Sequence, residues 1–209
     1  MTQSALAVDL ALVLAVDCSS SVDDGDFRLQ MDGIAAALRN PPLLDAIVAG
    51  RFRQVALSLL QWSTRKSQFV AVDWRILAGR TDIEGFARET EMAKRHWLPG
   101  GTGLAAAITF SIALLETLPV LATRRVIDVS GDGEDNDGGD PLLARAEALS
   151  RGITINGLPI TYGSSRLQAY YQTHVVGGTD SFLLPASNML AFRDAMTQKL
   201  LREVEQVNA

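Results

Sequence analysis

Between Val8 and Val16 the chain reads Val-Asp-Leu-Ala-Leu-Val-Leu-Ala-Val, apolar at every position but one. A half-buried strand would alternate apolar with polar residues, whereas the unbroken stretch from Leu10 fits a parallel strand, Asp9 to Val16, covered on both faces. Such a strand needs helices above and below it, which points to an α/β sheet. The run ends in Asp17-Cys18-Ser19-Ser20-Ser21. Carboxylates and hydroxyls at the carboxyl end of a buried strand stand where open α/β sheets bind their ligands.

The rest of the chain supplies the layers. From Phe27 the apolar positions Met31, Ile34, Ala35 and Leu38 recur at three and four residues, which predicts a helix starting near Asp23 and stopped by Asn40-Pro41-Pro42. Leu43, Leu44, Ile47 and Val48 predict a short helix closed by Gly50. Val55 to Trp62 and Gln68 to Leu77 read as strands whose connection, Ser63 to Ser67, is too short for a parallel return, so they form an antiparallel hairpin. Thr81-Asp82-Ile83-Glu84 has the capping-box pattern of a helix start, and the helix is read as continuing through Arg88 to Trp97.

Leu98-Pro99-Gly100-Gly101-Thr102-Gly103 breaks that helix and opens the next, whose stripe is Leu104, Ala107, Ile108, Ile112 and Leu115. Arg125 to Val129 is a further strand, followed by an acidic loop, Asp132 to Asp140, that reads as solvated. Asp140 and Pro141 supply an N-cap and a first-turn proline to a helix closed by Gly152. Ile153 to Ile160 reads as a strand, Ser165 to Thr173 as a short helix, Ser181 to Leu184 as a last strand and Ser187 to Val204 as an amphipathic helix. The sum is one domain over residues 1–209: a doubly wound, mostly parallel six-stranded sheet with one antiparallel edge strand and helices on both faces.

Composition narrows the function. The 24 acids outweigh 19 bases for a net charge of −5, and the bases are scattered except for pairs such as Arg65-Lys66 and Lys94-Arg95, so nucleic-acid binding has no electrostatic support. Cys18 is the only cysteine, which excludes an internal disulfide and a Cys-based zinc or iron–sulfur site. Alternating with its oxygen-bearing neighbours, it reads as a buried thiol facing away from them. The first apolar run is too short and wrongly flanked for a membrane span. Ala5-Leu6-Ala7 has the small-x-small form of a signal-peptidase site and points to a periplasmic or secreted protein; a cytoplasmic protein starting at Met1 is the alternative.

Asp17, Ser19 and Ser21 are spaced so that in an extended turn their side chains project to one side. Hard oxygen donors of this kind suit Mg²⁺, with Mn²⁺ or Ca²⁺ as substitutes. Each piece alone fits a helix cap or a turn. The chain as a whole resembles the von Willebrand factor A-type domains, whose metal-ion-dependent adhesion site (MIDAS) combines Asp-x-Ser-x-Ser with a distant Thr and a distant Asp. Here those pieces are Asp17-x-Ser19-x-Ser21, Thr102 in Gly-Gly-Thr-Gly and Asp132 in Ser-Gly-Asp-Gly. The stretches Arg125 to Gly133 and Gly152 to Ile160 look like a bacterial group of such proteins with no assigned function.

The resemblance implies that Ser19, Ser21 and either Thr102 or an acid bind the metal directly, with Asp17 and Asp132 acting partly through water. It implies a protein partner that donates a Glu or Asp to the open position. The competing enzyme reading is a Mg²⁺-dependent phosphohydrolase with Asp17 as nucleophile. Gly101-x-Gly103-x-x-Ala106 does not follow a strand, so a dinucleotide site is not supported, and the acidic loop lacks the glycine and glutamate positions of an EF-hand. His96 and His174 read as surface or capping residues, and Trp62 and Tyr170-Tyr171 as packing. Asp128, inside a strand, requires a hydrogen-bonded partner, either near the site or Arg125.

Overall fold

The computed structural model describes residues 6–96 and 100–207. Its strands are β1 (Ala7–Asp17), β2 (Val55–Trp62), β3 (Gln68–Leu77), β4 (Leu121–Gly131) and β5 (Ile153–Pro159). They form one sheet in the order β3-β2-β1-β4-β5. All neighbours are parallel except the edge strand β3, which returns antiparallel along β2 after the short turn at 63–67. The helices are α1 (Asp24–Leu38), α2 (Pro41–Ala49), α3 (Arg80–Met92), α4 (Leu104–Glu116), α5 (Pro141–Ser150), α6 (Ser165–Tyr170) and α7 (Phe192–Glu205).

The apolar run of β1 is central, and its residues divide between two cores. Leu10, Leu12, Leu14 and Val16 pack under α1, α2, α3 and α7. Ala11, Val13 and Ala15 face α4 and α5. Small residues on that side let the alanine-rich α4 approach the sheet closely. The one acid of the run, Asp9, accepts from the backbone N–H of Phe52 at 2.9 and 3.0 Å through its two oxygens. Burial of a carboxylate is thereby offset by charge-assisted hydrogen bonds.

Three local expectations are corrected. Among the described residues the sheet has five strands, not six: the stretch 181–184 touches β5 only through the isolated bridge of Leu183 to Gly157, and a second bridge joins Ala186 to Ile160 just beyond both. Leu184 and Ala186 donate to Gly157 O and Pro159 O, but Pro159 lacks the N–H that a continuous ladder needs between those two bonds. Thr81 does not cap α3; the helix starts at Arg80 behind Gly79, two residues earlier, and Asp82 accepts instead from Ala78 N–H at 3.1 Å. The same helix stops at Met92, where Ala93 turns extended. Buried Gln61 fixes the segment that follows, donating to Lys94 O and accepting from His96 N–H, each at 2.9 Å. Trp97, Leu98 and Pro99 lie outside the described residues, as does Ala5 of the small-x-small stretch.

Asp128 also departs from expectation. Arg125 donates to the Arg151 carbonyl, while the Asp128 carboxylate faces Lys199 of α7, with Nζ 3.1 Å from Oδ1. Lys199 also donates to Glu203, which accepts from Asn156 at 2.7 Å, so a buried polar network fastens α7 to β4 and β5. Burial pushes the Asp128 carboxyl up to about 7 against the pull of the Lys199 ammonium. Among the described residues no helix is long and apolar enough to cross a membrane.

Candidate metal centre

The carboxyl ends of β1 and β4 lie side by side and deliver the first and last pieces of the site. Asp17 is the last residue of β1, and Asp132 follows the last residue of β4, Gly131. The loop from Cys18 to Val22 then turns into α1, capped by Asp23, whose side chain accepts from Asp26 N–H at 2.8 Å. Within this loop the Asp17 Oδ1 accepts from Ser19 N–H at 2.7 Å. That bond turns Ser19 Oγ toward Ser21 Oγ, 3.2 Å away. Ser21 Oγ in turn donates to Asp132 Oδ1 at 2.5 Å. Four of the five residues expected at the site are thus linked across two strands that are far apart in sequence.

Thr102 reaches the same place from a third element. It lies just before α4 and is buried. A Cβ on Gly133 would fall 3.1 Å from Thr102 Oγ1, so the hydroxyl packs against the turn that follows Asp132. The glycine after Thr102 is needed for close approach: a Cβ on Gly103 would fall 2.7 Å from Arg65 N, and Gly103 N–H donates to Ser63 O at 2.7 Å. The Thr102 loop is therefore seated on the turn between β2 and β3.

The acidic loop is not merely solvated. Asp135 Oδ2 accepts from Ala105 N–H at 2.9 Å, capping the first turn of α4 where Gly103 offers no side chain. Asn136 and Thr102 are joined twice, Thr102 N–H to Asn136 Oδ1 at 2.8 Å and Asn136 N–H to Thr102 O at 2.9 Å. Asp137 accepts from Arg65 N–H at 2.5 Å. These side chains satisfy free N–H groups at a helix start and a turn, and so hold Thr102 against Asp132.

Sequence reasoning missed two supports of the centre. Arg95, taken only as part of a basic pair, donates through Nη2 to the carbonyls of Cys18 and Ser19 at 2.8 and 2.9 Å. Gln30 donates to Asp17 O at 3.1 Å; its place on the apolar stripe, three residues after Phe27 and four before Ile34, was the available signal. Tyr171, expected in packing alone, is buried, and its hydroxyl has no hydrogen-bond partner among the described residues. Cys18 follows expectation: it is buried, and burial together with the Asp17 charge pushes its thiol up to about 12.

The electrostatics suit a cation. Asp17 has no exposed surface, its Oδ2 has no hydrogen-bond partner among the described residues, and burial, reinforced by the Asp132 charge, pushes its carboxyl up to about 7. A bound divalent ion would stabilise the ionised form and supply the missing partner. Among the described residues no three His, Cys, Asp or Glu side chains gather. The side chains gathered here offer two carboxylates and hydroxyls, a donor set that would fit Mg²⁺ and would fit soft metals poorly.

The fold is that of the von Willebrand factor A-type domains. Similar solved structures include a von Willebrand factor type A protein from Catenulispora acidiphila, at 13% identity and TM-score 0.61 over 94% of this chain and 43% of that one. Another is proximal thread matrix protein 1 from the mussel byssus, solved with zinc in its MIDAS motif, at 14% identity and TM-score 0.60 over 94% and 47%. BatB from Bacteroides thetaiotaomicron aligns at 16% identity and TM-score 0.57 over 93% and 98%. The chain thus spans just under half of the first two proteins and nearly all of the third; identities this low carry the fold and nothing further. A search of the curated proteins finds no match. A family model described as "Protein of unknown function (DUF1194)" matches residues 7–208, and the chain belongs to that family.

Proposed function

We propose that this chain is a divalent-metal-dependent protein-binding module, in which Asp17, Ser19, Ser21, Thr102 and Asp132 hold Mg²⁺ and a Glu or Asp of the partner completes its coordination. The observation that carries the proposal is the buried, unpartnered Oδ2 of Asp17 beside two serine hydroxyls and a second carboxylate. A buried carboxylate oxygen without a partner costs about 1–3 kcal/mol or more, and a cation offsets that cost. Two carboxylates neutralise a divalent ion and leave it able to accept one anionic ligand. The zinc in the MIDAS motif of the mussel protein supports a metal at this position of the fold. Mn²⁺ and Ca²⁺ are acceptable substitutes on the same donor chemistry.

The phosphohydrolase reading has less support. A nucleophilic aspartate must meet phosphorus in line, whereas Asp17 has no exposed surface and one of its oxygens is engaged by Ser19 N–H. Export to the periplasm or medium, expected from Ala5-Leu6-Ala7, belongs to the same proposal.

Partner capture from extracts of the native organism tests the function. Proteins retained in Mg²⁺ should be released by EDTA and should not be retained by Asp17→Ala. Retention that is unchanged by EDTA and by the substitution contradicts it.

A further inference from the structure

The chain between α6 and the segment that bridges to β5 forms one turn of π-helix, Tyr171–Val175, closed by Val176 N–H donating to Tyr171 O at 2.9 Å. Such turns are rare and recur at functional sites. This one aims Tyr171 inward, across the face of the sheet toward the proposed metal centre. Two glycines clear its path. A Cβ on Gly157 would fall 3.1 Å from the Tyr171 ring, and a Cβ on Gly131 would fall 2.8 Å from its hydroxyl. That same Gly131 point is 2.8 Å from Asp17 Oδ2. The phenol hydroxyl and Asp17 Oδ2 therefore border the same spot at the end of β4.

Both atoms are fully buried and neither has a hydrogen-bond partner among the described residues. A phenol that served packing alone would bury its hydroxyl at a cost, and phenylalanine would fill the same space without it. We propose that Tyr171 is a positioning residue of the metal centre, whose hydroxyl donates to Asp17 Oδ2, directly or through one water, in the metal-loaded protein. The inference rests on the metal-site reading above. Donors behind a metal-holding carboxylate fix its orientation, and their loss costs about 10–100-fold in metal affinity.

Tyr171→Phe tests this with Mn²⁺ alone as the probe, in full-length protein, by calorimetric titration and by thermal unfolding without metal. The expected result is a Kd weakened by about tenfold while the metal-free protein unfolds at the same or a higher temperature, because the lost hydroxyl had no partner. In an Asp17→Asn background, where the ionised carboxylate is gone, the second substitution should change Kd no further. An unchanged Kd for Tyr171→Phe overturns the inference, as does an equal loss in both backgrounds. A wild-type protein that binds no Mn²⁺ overturns it together with the metal site itself, so the two failures are told apart.

Discussion

Asp17 concentrates the electrostatics of the molecule in one side chain. Its carboxyl is moved from an ordinary value of 3.8 to about 7, first by burial and then by the Asp132 charge, against the bond from Ser19 N–H. The folded, metal-free protein therefore holds this proton more tightly than the unfolded chain does. The associated stability is fully present below about pH 4 and is lost as pH rises through about 7. Metal-free Asp17→Asn removes this dependence, and its urea unfolding free energy should exceed that of the wild type above pH 7. The difference should grow by up to about 1.4 kcal/mol per pH unit across the window. Asp128, also raised to about 7, gives both proteins a slope of its own that cancels in the comparison. Parallel pH profiles for the two proteins contradict the assignment.

At the scale of elements, the centre is assembled by loops that cap one another. Helix α4 begins without a capping side chain of its own, and the carboxylate of Asp135 arrives from the loop after β4 to accept its Ala105 N–H. A negative group there also meets the positive end of the helix dipole. Asp135→Ala should cost about 1 kcal/mol, seen as a lowering of the melting temperature by roughly 2–4 °C for a chain of this size. Asp140→Ala, which removes the cap of α5 in the same loop, should cost a similar amount without loosening Thr102. An Asp135 variant as stable as the wild type contradicts the capping role. The Asp140 cap was legible because it precedes a proline and an apolar stripe in sequence. The Asp135 cap was not, because its helix begins thirty residues earlier in the chain.

At the scale of the whole molecule, the same distinction separates what the sequence reveals from what it hides. The doubly wound sheet, its antiparallel edge and the places of Asp17, Ser19, Ser21, Thr102 and Asp132 at loop starts follow from local patterns: an unbroken apolar run, a five-residue turn and glycines before a helix. The partners that hold the centre in place do not. Arg95, Gln30, Asn136 and Tyr171 reach it from four different segments, and only folding brings them together. Lys199, which faces Asp128 from the last helix, was hidden for the same reason. The sixth strand was overcounted because an apolar stretch such as 181–184 reads as a strand whether or not a proline interrupts its ladder. The claim that unites these observations is that one cation sits where Asp17, Ser19, Ser21, Thr102 and Asp132 converge. Anomalous diffraction from crystals grown with Mn²⁺ tests it directly. One peak should lie about 2–2.5 Å from at least two of these side chains' oxygens, the ordinary range for a hard cation and its ligands. A protein whose Mn²⁺ peak falls instead on the carboxylates of the 134–140 loop, with none beside Ser19 and Ser21, contradicts the account.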